Sequence, residues 1–239
     1  MTNHHPNMDP TAAIHAAIPE PEYQISTLAN GLTVATFPMP WLHEVGVTIL
    51  VRGGSRYELE KHTGVAHFLE HMLFRGTERM PNPTQLHTHL EAMAADMNAA
   101  TGHEVNAYWM TLPLEQLPQG MHAFCEMITQ PAFTGIDSER GVILAEMRED
   151  ENDRGEMVNA LNLASEQLWP NHPLARPILG FRESVTKIAT DDLWDYLRRL
   201  YRGGNMATAF FGPIQHAEAQ ALAETHLGKL PNGSIPLSP

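Results

Sequence analysis

The chain has 239 residues, 43% of them hydrophobic and 18% charged, enough to bury a sizeable core in one large or two small domains. Fifteen Lys and Arg against 28 Asp and Glu leave a formal net charge of −13, which argues against nucleic acid or an anionic membrane as main partner. A single cysteine excludes an intrachain disulfide and any all-cysteine zinc site. Residues 1–22 carry no Arg and no apolar h-region, so they read as neither a secretory signal nor a transit peptide. No apolar run is long enough to span a bilayer. These features lead us to expect a soluble, acidic, cytoplasmic protein.

Taken in chain order, residues 1–22 read as a flexible arm rich in Pro, Ala and His. Order begins near Tyr23, with strands at 23–29 and 32–37 around the hairpin pair Asn30-Gly31. A third strand, Val45 to Val51, stops at Gly53-Gly54. Helices are expected over 63–74 and 83–94, the second with Asn82 as cap and Pro83 at its first position. Residues 95–101 and 104–112 form paired strands around Thr101-Gly102. The stripe Leu117, Met121, Phe124, Cys125, Ile128 predicts a helix over 114–130, with Cys125 as a buried hydrophobe and not a catalytic thiol.

Two acidic helical segments follow at 136–153 and 155–168, then a loop over 170–177. A helix capped by Thr190 runs through Leu193, Leu197 and Leu200 to Gly203-Gly204. A last strand at 205–211 and a last helix at 216–227 precede a linker-like tail over 231–239. The grouping of strands and helices, without a parallel βαβ rhythm, predicts an α+β fold: a mainly antiparallel sheet covered by helices, in one domain over 23–230.

The segment from Thr63 to Phe74 carries the chemistry. At 100° per residue, Val65, Phe68, Leu69 and Met72 share one face of the helix, and His67, Glu70 and His71 share the opposite one. Two imidazoles one turn apart can reach a single tetrahedral metal, zinc being the usual occupant. The carboxylate beside them is placed to take a proton from a water that the metal activates. Composition alone yields His-x-x-Glu-His in roughly one chain in fifteen, so the pentapeptide needs support from elsewhere. A third ligand is also needed. His87 and His89 alternate on a polar helix surface and read as solvated. Glu139 and Glu146 lie seven residues apart on one helical face, which Glu149 and Asp150 extend. Spacing alone does not choose among these four.

The run from His67 to Thr77 closely resembles the inverted zinc motif of the pitrilysin, insulin-degrading enzyme and mitochondrial processing peptidase family, the inverzincins. The likeness continues in Gly31 to Val34, in Gly54 to Arg56 with Glu58, and in Asn98 to Thr101 with Glu104 and Tyr108. Val142 to Met147, His172 to Leu174 with Ile178 to Gly180, and Tyr201 with Asn205-Met206 complete it, over roughly residues 23–230. The resemblance implies a zinc metalloendopeptidase domain. It implies zinc ligands His67, His71 and Glu146, with Glu139 a supporting carboxylate behind them and Glu70 the catalytic base. It also implies that Asn98, Ala99 and Thr101 lie on an edge strand where an extended peptide substrate pairs.

Two places depart from the family pattern. Ala95-Asp96-Met97 stands where glycine is common, and Asn106 stands where the family has threonine. Family members carry two or four such domains, with an Arg/Tyr pair in a later one. This sequence covers the metal half, so the expectation is a subunit completed by a homologous second chain, or by a second copy in a homodimer. The alternative is a catalytically silent metal-binding or substrate-presenting subunit.

Overall fold

The computed structural model describes residues 22–233. The expected arm falls almost wholly outside the described residues, as does most of the expected tail. Six strands form one sheet: β1 (Gln24–Thr27), β2 (Thr33–Pro38), β3 (Glu44–Val51), β4 (Asp96–Thr101), β5 (Asn106–Pro113) and β6 (Met206–Gly212). Their order is β1-β2-β6-β3-β5-β4, antiparallel at every pairing except β2 with β6. The α+β expectation therefore holds, and one parallel pair is the qualification.

Alternation decides which face of the sheet is covered. Val45, Val47, Ile49 and Val51 of β3 are fully buried, while Gly46, Thr48 and Leu50 face the other way. Tyr108, Met110 and Leu112 of β5 continue the buried face. Helices α1 (Val65–Leu73), α2 (Pro83–Glu91), α3 (Leu117–Thr129), α4 (Ile136–Glu146), α5 (Ala160–Leu168), α6 (Arg182–Val185), α7 (Thr190–Leu200) and α8 (His216–Leu227) complete the fold. None of these helices is long and apolar enough to cross a membrane.

Several boundaries differ from the sequence reading. The first hairpin loop spans five residues and not two, because Leu32 N–H is drawn back to Asn30 Oδ1 at 3.1 Å and Asn30 Nδ2 donates to Leu227 O. The second acidic helix starts only at Ala160, where Asn159 Oδ1 accepts from Leu161 N and Asn162 N. Residues 151–157 before it make a turn closed by a bridge between Glu151 and Met157. Thr190 is the first residue of α7 and not its cap. That helix start is tied by Ala189 N–H donating to Asp192 Oδ2 at 2.8 Å.

Helix α1 is held along its buried face and at its start. Val65, Phe68, Leu69 and Met72 are buried, each worth about 1.5–3 kcal/mol on the transfer scale. Glu58 caps its start, its two carboxylate oxygens accepting Gly64 N–H and Ala66 N–H at 2.9 Å each. Burial pushes the Glu58 carboxyl up to about 8, and those two hydrogen bonds oppose the shift. Gly64 adopts φ +95°, and a Cβ there would lie 2.7 Å from Leu179 O, so only glycine lets the loop before α6 pack against the helix start.

Candidate metal centre

The opposite face of α1 is not turned to solvent. It packs toward α4 and the edge strand β4, so His67 is buried and His71 keeps 20% of its side-chain surface. Burial, helped by His71 nearby, lowers the His67 imidazole to about 4, so this ring is neutral at neutral pH. A neutral imidazole is the form that binds metal.

Helix α4 supplies the carboxylates because Glu139 and Glu146 sit two turns apart on the face it turns to α1. Nδ1 of His71 lies 2.9 Å from Glu139 Oε1, and Glu139 Oε2 lies 3.5 Å from Arg75 NH1. An Nδ1–H donated to this carboxylate would leave Nε2 as the free ring nitrogen, on the side that faces Glu146. That Nε2 is 3.6 Å from Glu146 Oε2, and Nε2 of His67 is 3.8 Å from Glu146 Oε1.

These separations are too long for hydrogen bonds. They are close to the spacing of donor atoms that share one tetrahedral ion at about 2.0–2.2 Å each, which keeps neighbouring donors roughly 3.3–3.6 Å apart. One ligand atom from each of His67, His71 and Glu146 lies within 4.8 Å of the other two. Two imidazoles and a carboxylate are also the donor set that suits zinc, and the residues fit such an ion. Burial raises the Glu146 carboxyl, with Glu149, Glu70 and Asp150 adding like charge and His71 opposing. A divalent cation would offset that accumulation of negative charge.

Glu149 and Asp150, alternatives on spacing alone, are directed elsewhere. Glu149 is exposed, and Asp150 accepts from Asn159 Nδ2 and Asn162 Nδ2 at the start of α5. His87 is exposed on α2, as its polar surroundings implied, whereas His89 is half-buried there and not solvated as expected.

Glu70 lies beside the trio and outside it. Its Oε2 accepts from Thr101 Oγ1 at 2.5 Å. Burial raises its carboxyl, and the Thr101 hydrogen bond opposes that shift. Asn98, Ala99 and Thr101 lie on β4, which ends the sheet and pairs only with β5 among the described strands. The Thr101 side chain is thus engaged with Glu70.

Three contributors escape a reading of the sequence. Arg75 lies within the quoted motif without a role there, yet it flanks Glu139. Glu58 caps the metal helix. Tyr108 and Tyr201 join hydroxyls at 2.6 Å beneath the site, both fully buried. The family-like motifs contain all of these residues, but only long-range pairing assigns them partners.

Two family models match the chain: Insulinase (Peptidase family M16) over residues 33–181, and Peptidase M16 inactive domain over residues 187–239. The mitochondrial-processing peptidase subunit beta of Blastocladiella emersonii is 35% identical over 217 residues, covering 90% of this chain and 46% of that protein. The human cytochrome b-c1 complex subunit 1, mitochondrial, is 35% identical over 215 residues, covering 88% and 44%. Among solved structures, the first half of the periplasmic protease PqqL from Escherichia coli superposes with a TM-score of 0.80 at 30% identity, covering 93% of this chain and 50% of that one. The chain spans about half the length of the curated relatives it matches.

Proposed function

The chain belongs to the insulinase family of peptidases, M16, and from that premise we propose that it is a zinc-dependent endopeptidase subunit. The observation that carries this reading is the convergence of His67, His71 and Glu146 beside Glu70. Zinc in that site would supply Lewis-acid polarisation of the scissile carbonyl and a water acidic enough to lose its proton near neutral pH.

The remaining steps belong to the protein. His67, His71 and Glu146 hold the ion, and Glu139 fixes the tautomer of His71 through Nδ1. Thr101 occupies Oε2 of Glu70, which leaves Oε1 to take the proton from water and deliver it to the departing amine. An extended peptide pairs with the free edge of β4 along Asn98, Ala99 and Thr101, so recognition is mainly of backbone.

The site is also half of a cleft in this reading. The Glu146 side chain is 40% exposed and no strand among the described residues pairs with the outer edge of β4. A second homologous domain encloses it, because excluding water strengthens every electrostatic contact in the transition state. A relative named as subunit beta of a peptidase supports assembly with another chain.

Glu70→Gln tests the assignment. The variant should bind zinc as the wild type does and lose peptide turnover by about 10²–10⁴-fold. Loss of zinc together with turnover would show Glu70 to be a ligand. The likeness to a cytochrome b-c1 complex subunit favours a second reading, a catalytically silent metal-binding or substrate-presenting subunit. Under it, wild type and Glu70→Gln are equally inert with the partner half present.

A further inference from the structure

The contact that fixes Glu70 does not end at Thr101. The β4–β5 register sets Asn106 directly across from Thr101, so their side chains share one face of the sheet. Asn106 is fully buried, and its Nδ2 donates to Thr101 Oγ1 at 3.1 Å. On the other side of the amide, Tyr196 Oη lies 3.4 Å from Asn106 Oδ1. The phenol is itself anchored, accepting Gly54 N–H at 2.7 Å and lying 3.2 Å from Gly54 O.

Space for this amide is built into the backbone. A Cβ on Gly53 would stand 2.7 Å from Asn106 Oδ1 and 3.2 Å from Tyr196 Oη. The φ of Gly53 lies outside the left-handed region, so room and not conformation is what glycine provides there.

We propose that Asn106 is a positioning residue for Glu70, acting through the Thr101 hydroxyl, which rests on the reading of Glu70 as the proton-transferring carboxylate. The reason is the hydrogen-bond inventory of a hydroxyl, with one proton to give and lone pairs to accept. When the Asn106 amide N–H occupies a Thr101 lone pair, the Thr101 proton is turned away from the amide and toward Glu70 Oε2. An amide has a donor and an acceptor at opposite corners, so one side chain can tie the phenol to the hydroxyl. Alanine, valine or leucine at 106 offers neither group. Without the amide the Thr101 hydroxyl can rotate and Glu70 loses its orientation, while the ligands on α1 and α4 keep their places.

The test uses the full chain with its partner half, loaded with zinc. Asn106→Ala should keep its zinc affinity within about twofold of wild type and its KM for a peptide within about threefold. Its kcat should fall about 10–100-fold, the range expected when a reacting group is misplaced by an ångström or less. Thr101→Val should do the same, and Thr101→Ser should recover most of that loss. The double variant Asn106→Ala/Thr101→Val should be no worse than the poorer single one, because both break one chain. Gly53→Ala, which crowds the amide without deleting it, reaches the same step if Asn106→Ala does not fold. A kcat within twofold of wild type, or losses that multiply in the double variant, would overturn the proposal. If the wild type cleaves nothing, the peptidase reading fails by itself. Crystal structures of wild type and Asn106→Ala then decide the positioning, and a Glu70 carboxylate that stays on Thr101 in both refutes it.

Discussion

Glu139 offers the sharpest test of how the metal centre is supported. Its carboxylate meets Nδ1 of His71 at 2.9 Å, with side-chain exposures of 12% and 20%, so solvent screens the contact little. Ligand-orienting contacts of this kind are typically worth about 10–100-fold in metal affinity, or about 1.4–2.7 kcal/mol. Glu139→Gln keeps an acceptor oxygen and loses the charge, so it should weaken zinc binding by about tenfold. Glu139→Ala also frees the His71 ring and leaves Arg75 without its carboxylate, and should approach a hundredfold. Asp137→Asn is the control: it removes the same formal charge from the same helix, at a side chain 92% exposed. It should change affinity less than about twofold, since exposed charges are screened. Zinc dissociation constants from competition with a chromogenic chelator separate these cases. Equal affinity for wild type and Glu139→Gln, or equal losses in Glu139→Gln and Asp137→Asn, would refute the claim that orientation through Nδ1 is what matters.

Replacing Glu146 by Ala should abolish tight zinc binding, whereas Ala at 149 or 150 should leave it within a few-fold; the same titration checks this, and a ranking led by 149 or 150 would sink the assignment. Stripping zinc with a chelator should lower the melting temperature, because an ion held at a hundred times its dissociation constant stabilises the fold by about 2.7 kcal/mol. Glu58 predicts a pH dependence. Its carboxyl rises from an ordinary 4.5 to about 8 on folding, so its contribution to stability is fully present below pH 4.5 and is lost as pH rises through about 8. Denaturant unfolding of wild type and Glu58→Gln across that window should therefore show wild type losing ground as pH rises, and a constant difference would contradict the burial argument.

The features legible in the amino-acid sequence are those that repeat locally. The two-residue alternation of Val45 to Val51 and the three-to-four-residue spacing of Val65, Phe68, Leu69 and Met72 each follow from one element's geometry, and both faces are buried. His67 and His71 are legible for the same reason, one turn apart on one helix. The stretch 151–159 is not, because an acidic run has no period and the true start of α5 depends on one asparagine side chain. By sequence, Thr101 is only part of a substrate strand and Asn106 only a departure from a family pattern. Their actual contacts bridge β4, β5 and α1 over 5 and 31 residues. Strand register decides those contacts, and no local pattern encodes it.

The supports of the three ligand side chains are unequal, and that inequality says how the centre is assembled. His67 is buried on α1, and His71 is tied through Nδ1 to Glu139. Glu146 is the last residue of α4, its side chain is 40% exposed, and its carboxylate takes no hydrogen bond among the described residues. The two imidazoles are therefore held by the protein itself, one by burial and one by Glu139, and the carboxylate is the adjustable member. An ion bound there would order Glu146 and not the reverse, since a half-exposed glutamate has rotamer freedom to lose and two nearby imidazole nitrogens do not. Affinity then depends on how firmly the His pair is pre-set, and Glu58, through its two hydrogen bonds to the start of α1, sets the helix that carries both. The same helix carries Glu70, whose orientation is fixed from β4. In the proposed reading His71 is braced from α4 and the proton carrier from the sheet, so a change to either brace should alter one function and spare the other.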